Sequence, residues 1–113
     1  MESILTSIKK LLGIAEEYKQ FDADLIMHIN SVFLVLTQLG VGPETGFMIE
    51  DDTAEWIDFI AESAQLQAVK SYMYLKVKVL FDPPLSSTTL QSMNNIIAEF
   101  EWRIRLAAEE TAE

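Results

Sequence analysis

The sequence predicts an all-α fold, a compact bundle of four to five helices with one long loop at about residues 40–52. Three observations carry this. Apolar residues recur at helical spacing in long blocks. With only 4 Gly and 3 Pro in 113 residues, interruptions are few. The hydrophobic fraction of 50% supplies a core large enough for a single domain over residues 1–113 without staples.

The first helix is short and amphipathic. Ile4, Leu5, Ile8, Leu11 and Leu12 share a face, Lys9 and Lys10 fall between them, and Gly13 stands at the C-cap position. The second should run from Asp22 to Leu39, with Asp22 and Asp24 at the positive end of its dipole. Leu25, Ile29, Val32, Leu36 and Leu39 form its stripe, widened by Ile26 and Phe33. Met27 and Leu34 lie outside that stripe, which predicts burial on more than one side.

Gly40, Gly42 and Pro43 end this helix and open the loop, in which Phe47-Met48-Ile49 is a candidate short strand. Asp52 and Glu55 have capping-box spacing for a short third helix, where Trp56, Phe59 and Ile60 sit at i, i+3, i+4. The fourth helix spans about Ala64 to Phe81 and is the most apolar. Asp82-Pro83-Pro84 stops it, because a residue before proline avoids helical geometry.

Ser86-Ser87-Thr88-Thr89 offers N-caps for the fifth helix, whose stripe is Leu90, Met93, Ile97, Phe100, Ile104 and Ala107. Glu99–Arg103 and Glu101–Arg105 have i, i+4 spacing. Residues 109–113 read as a frayed tail. The expected core is Ile29, Leu36, Val69, Met73, Ile97 and Phe100.

Charge and residue types narrow the function. A net charge of −10 opposes a nucleic-acid-gripping face. With no Cys, disulfides, thiolate metal sites and Cys nucleophiles are impossible. The N-terminus lacks a basic start followed by an apolar signal core, and Val32–Leu36 is far too short to span a bilayer, so the chain reads as soluble and intracellular, with no membrane partner.

His28 is the only histidine, and no Ser-His-Asp arrangement accompanies it. Asp24, one turn earlier, could orient it, with no third group to complete a site. Glu50-Asp51-Asp52 lacks the alternating ligands and turn glycine of a calcium loop and suits helix capping. Gly40-Val41-Gly42 lacks the rest of a nucleotide fingerprint, and Lys70, Lys76 and Lys78 are too few for a phosphate-binding face. No catalytic, cofactor-binding or metal-ligating residue is therefore expected. The informative residues are large apolar ones in excess of one stripe. Phe47, Ile49, Tyr72, Tyr74 and Trp102 are the candidate protein-interface residues.

Three ordered stretches carry a family resemblance. One is Ser7-Ile8-Lys9-Lys10-Leu11-Leu12-Gly13-Ile14, followed by Phe21-Asp22-Ala23-Asp24-Leu25-Ile26-Met27-His28-Ile29-Asn30-Ser31-Val32-Phe33 and Gln38-Leu39-Gly40-Val41-Gly42-Pro43. The second, Val69-Lys70-Ser71-Tyr72-Met73-Tyr74-Leu75-Lys76-Val77-Lys78-Val79-Leu80-Phe81-Asp82-Pro83-Pro84, is the most specific at its Leu-Phe-Asp-Pro-Pro end. The third is Glu99-Phe100-Glu101-Trp102-Arg103. Together they resemble the head–tail connector (head-completion adaptor) proteins of long-tailed double-stranded DNA bacteriophages.

The resemblance implies a virion protein of the head–tail junction, assembled in the bacterial host cytoplasm. It would form a homo-oligomeric ring under the portal protein and extend the DNA channel. It would also support a downstream connector, stopper or tail protein, with DNA only as passing cargo. Helix 4 and the 40–52 loop are the expected faces between subunits. The reading from another class is a small acidic helical regulator or inhibitor that captures one host or phage protein through the face of helix 1 or helix 4.

Overall fold

A computed structural model describes residues 2–112. Among them lie five helices: α1 (Ile4–Leu12), α2 (Asp22–Gln38), α3 (Trp56–Phe59), α4 (Ala64–Phe81) and α5 (Ser87–Ala112). The fold is all-α, as the periodicities require. Helix α4 packs against α1, α2 and α5, so it is the shared wall of the core. The molecule measures 43 × 36 × 20 Å, a slab about two helices thick. No helix among the described residues is long and apolar enough to cross a membrane.

Helix α1 starts at Ser3, whose Oγ accepts a bond from the Thr6 N–H at 3.2 Å. It ends at Gly13, which holds φ +81°, and the Ile14 N–H returns to the Lys9 carbonyl at 2.8 Å. Only glycine enters that left-handed region without strain. The inward face differs from the expected one. Leu11 is 56% exposed, whereas Lys9 is buried, at 2% exposure. Its Nζ donates to the carbonyls of Glu16 (2.9 Å) and Tyr18 (2.7 Å) and lies 2.9 Å from Asp22 Oδ1. Asp22 Oδ1 receives no directed hydrogen bond, so this last contact is an ion pair. The α1–α2 connection thus wraps around one ammonium group.

Helix α2 buries Leu25, Ile29, Val32, Phe33 and Leu36. Beyond it, Gly42 holds φ +84° against Phe59, and a Cβ there would overlap the Phe59 ring. The candidate strand at Phe47-Met48-Ile49 does not form. The one β pairing among the described residues is an isolated bridge between Ser3 and Glu55. The Ile4 N–H donates to the Ala54 carbonyl at 3.0 Å. Because Ala54 and Glu55 are drawn out beside the start of α1, α3 cannot begin at Asp52. Glu55 is its cap, and its N–H donates to Asp58 Oδ2 at 2.8 Å. Asp52 is exposed, 3.8 Å from Lys19 Nζ.

Trp56 on α3 is buried and donates Nε1–H to Ser7 Oγ at 2.9 Å, tying α3 to α1. Phe33 collects Phe59 at 4.7 Å and Phe47 at 5.0 Å between ring centres. Tilted and edge-on arrangements like these are the favourable ones for aromatic rings.

Helix α4 begins at Ser63, whose Oγ accepts from the Leu66 N–H at 3.1 Å, and ends at Asp82, which Lys78 meets at 2.8 Å. Helix α5 folds back along it. Ile97, Ile104 and Ala108 are buried there. Of the expected core, Ile29, Leu36, Val69, Met73 and Ile97 are buried, but Phe100 is only half-buried. It sits at the edge of α5 where a groove opens toward α1 and α4. Leu90 and Met93 are half-buried as well, because the first turns of α5 run past the core cluster. Helix α5 continues to Ala112, so the segment expected to fray is helical that far; Glu113 lies outside the described residues.

Among the described residues, a side-chain hydrogen bond crosses the α4–α5 seam. Tyr72 Oη donates to Glu101 Oε2 at 2.7 Å, and Lys76 Nζ stands 3.7 Å from the same oxygen. Glu101 therefore turns inward and does not pair with Arg105; the Glu99–Arg103 pair does form, at 3.4 Å.

Two predictions follow from these polar contacts. Replacing Lys9 with Met leaves Asp22 and two carbonyls unmatched. The expected cost is about 3 kcal/mol in chemical denaturation, the low end for a broken buried pair because Asp22 is partly exposed; a loss under about 1 kcal/mol would contradict it. Burial, and then the bond to Glu101, push the Tyr72 phenol above its usual pKa. Its folded-state pKa is raised, so its contribution is complete below about pH 10 and fades as pH rises beyond that value. Stability measured from pH 8 to 11 should fall more steeply for the wild type than for Tyr72→Phe.

Candidate protein interface

The interface residues expected from the sequence divide into two groups. Ile49 and Tyr72 are buried inside the subunit, at 2% and 0% exposure, and belong to its own core. Ile49 is held there by α2, and Tyr72 by α5. Phe47 is half-buried, edge-on to Phe33. Tyr74 and Trp102 remain accessible: Tyr74 lines a groove and Trp102 stands on the outside of α5.

The long loop owes its position to Asn30. The side-chain amide Nδ2 donates to the Ile49 carbonyl at 3.0 Å, and Oδ1 accepts from the Ile49 N–H at 2.8 Å. One amide thus supplies both bonds that a neighbouring strand would have given, which is why Phe47-Met48-Ile49 needs no strand partner. The loop stands off the outer face of α2 and leaves a groove of about 760 Å³, lined among others by Met27, Leu34, Phe47 and Met48. Met27, Leu34 and Met48 are largely exposed. The second apolar face of α2 is therefore a surface and not the buried side that its composition suggested. Methionines make such a groove adaptable in shape.

A second, smaller groove of about 370 Å³ runs between α1, α4 and α5, with Leu11, Lys70, Tyr74 and Phe100 in its walls. Lys70 Nζ lies over the Trp56 ring at 5.9 Å and pairs with Glu2 at 3.4 Å. On α5, Trp102 and Leu106 are exposed one turn apart. A 100° step per residue places them about 200° and 240° around the helix from Phe100, so they look away from this groove.

Other clusters offer little chemistry. No group of three or more His, Asp and Glu residues among the described residues could hold a metal ion. In Glu50-Asp51-Asp52, Asp51 Oδ1 accepts from the Thr53 N–H at 2.9 Å and its Oγ–H at 2.6 Å. Those bonds hold the Asp51 carboxyl below the usual carboxylate range. The run forms a turn at Asp51 and does not cap α3, the role expected of it, because Glu55 is that cap. His28 is half-buried on α2.

Sequence reasoning missed Lys9 and Asn30, the two residues that shape the surface from within. For Asn30 a signal existed. It is a weak helix former in mid-helix beside core Ile29, a place where an amide usually has a partner. For Lys9 the pattern pointed outward.

Comparison with known proteins gives a family match. A family model described as phage connector protein matches residues 4–111. No curated protein and no solved structure matches the chain.

The Asn30 clamp makes a local prediction. Asn30→Asp keeps an acceptor but loses the donor to Ile49 O, and should cost about 1–3 kcal/mol. Amide hydrogen exchange should accelerate across residues 44–49 while the α4 core stays protected. Unchanged exchange in the loop would show that the aromatic contacts of Phe47 hold it without the clamp.

Proposed function

Since the chain belongs to the phage connector protein family, whose members have a structural role in the virion, we propose that it closes into a homo-oligomeric ring beneath the portal. There it extends the DNA channel and presents its far side to the next connector, stopper or tail protein. The observation that carries this reading beyond the family is the pairing of strong net charge with exposed apolar surface. The chain carries −10, yet Met27, Leu34, Met48, Trp102 and Leu106 lie open to solvent. Exposed apolar residues grouped on grooves and helix faces mark protein contacts.

The charge has two consequences. Like-charged subunits repel at long range, so they do not associate at random, and association needs specific apolar contacts to overcome that repulsion. An acidic lumen would also hold no phosphate backbone, so DNA would slide through without sticking. Closure into a ring requires two different faces of one subunit to meet. Helix α4 cannot supply such a face alone, because its neighbours cover most of it.

The test is light scattering and electron microscopy of the chain, with and without its portal, at low and high salt. Rings or decorated portals are expected, favoured at high salt because screening weakens repulsion between subunits. A chain that stays monomeric in all four conditions and never decorates the portal would contradict the ring and favour capture of a single protein by an acidic helical regulator.

A further inference from the structure

We propose that the outer face of α5 on one subunit seats in the α1–α4 groove of the next copy. The proposal rests on the ring reading above and names the two surfaces that would build it.

The two surfaces match in shape class and in charge. The groove offers Leu11, which is 56% exposed, and half-buried Tyr74, with Lys10 and Lys70 beside them. The α5 face offers Trp102 and Leu106, at 55% and 41% exposure, one turn apart on the same side. Further along the same side stand exposed Glu109 and Glu110. Trp and Tyr in partly enclosed apolar surroundings are the side chains that most often dominate protein contacts.

Charge complementarity supports a second copy as the occupant. Six of the eight cations already have an acidic partner among the described residues: Lys9, Lys19, Lys70, Lys76, Lys78 and Arg103. Lys10 and Arg105 have none: Lys10 is exposed beside the groove, and Arg105 is exposed on α5 with Glu109 and Glu110, which have no basic partner among the described residues. Seating α5 on the groove brings Lys10 toward Glu109 and Glu110, whose two negative charges exceed the one positive charge of Arg105 on that face. It does so at a contact between chains that otherwise repel.

Orientation agrees with closure. Phe100 faces the groove, and Trp102 and Leu106 lie on the opposite side of the same helix. One subunit therefore carries both halves pointing in opposite directions, as head-to-tail contacts demand. The α2–loop groove, whose one acidic lining residue is Glu44, stays uncovered in this arrangement and serves as a control surface.

The chain has no cysteine, so introduced thiols report cleanly. One variant carries Leu11→Cys, another Leu106→Cys, and a control carries Met27→Cys; all three positions are exposed, so the fold is spared. Each is assembled alone and in pairs, under the conditions in which the unmodified chain forms rings, and treated with a short bis-maleimide. A covalent dimer is expected from Leu11→Cys mixed with Leu106→Cys and from neither alone. A single chain carrying both substitutions should give a ladder of higher multimers. Linkage of Met27→Cys to Leu106→Cys in its place, or of Leu11→Cys to itself, would overturn the pairing.

Charge exchange gives an independent arm. Lys10→Glu should weaken assembly roughly two- to five-fold, and adding Glu109→Lys and Glu110→Lys to the same chain should restore it. Absence of both effects would also count against the pairing. If the unmodified chain forms rings but the Leu11–Leu106 link never appears, the pairing fails and the ring stands. If the unmodified chain never assembles, both fall.

Discussion

Helix α4 carries more apolar surface than any one neighbour can cover, and the rest of the subunit is arranged to solve that problem. Val69, Tyr72, Met73 and Val77 are fully buried, and Leu75 and Val79 are partly so. Burying each such large side chain is worth about 1.5–3 kcal/mol. Helices α1, α2 and α5 therefore enclose it from different sides. The Asp82-Pro83-Pro84 stop turns the chain back so that α5 can lie along α4, and Tyr72 reaches Glu101 across that seam. The one polar group taken into this wall is matched, which is the condition for keeping it there.

Two further polar groups fix the connections. Lys9 gathers Glu16, Tyr18 and Asp22 around its ammonium and sets the angle at which α2 leaves α1. Asn30 grips both backbone groups of Ile49 and sets how far the long loop stands from α2. Lys9 lies beneath the surface and Asn30 lines the α2–loop groove, and both decide where the proposed contact surfaces lie. The consequence for function is a division of labour. The core completes itself within one chain, and six of the eleven large apolar residues left exposed among the described residues, Leu11, Met27, Leu34, Met48, Trp102 and Leu106, are grouped on two grooves and one helix face. A phage connector protein that assembles as proposed needs that division, because each subunit must stay apart from the others before assembly and be selective during it.

Much of this was legible in the sequence. Asp82-Pro83-Pro84 marked the end of α4, and Gly13 the end of α1, because caps and breakers act locally. The all-α class followed from periodicity alone. What could not be read was tertiary in origin. The acceptors that bury Lys9 are backbone carbonyls seven and nine residues further along, which carry no side-chain signal. The amide of Asn30 replaced a strand partner nineteen residues away, so Phe47-Met48-Ile49 looked like a strand. Phe100 lay on the correct stripe, but at the mouth of a groove whose other walls belong to α1 and α4. Of the five interface residues expected, Ile49 and Tyr72 went into the core because size and apolarity do not distinguish a core residue from an anchor. Leu11, Met27, Leu34 and Met48 took their place on the surface.

The central claim is that each subunit is complete on its own and that assembly covers surface without building the core. Hydrogen exchange of the free and the assembled chain tests it most directly. The account predicts that amides around Ile29, Leu36, Val69 and Met73 are already protected in the free chain. New protection on assembly would then be confined to the surface segments that neighbours cover. Core amides that exchange freely in the isolated chain and become protected only in the assembly would contradict it, because the fold would then be a product of the ring.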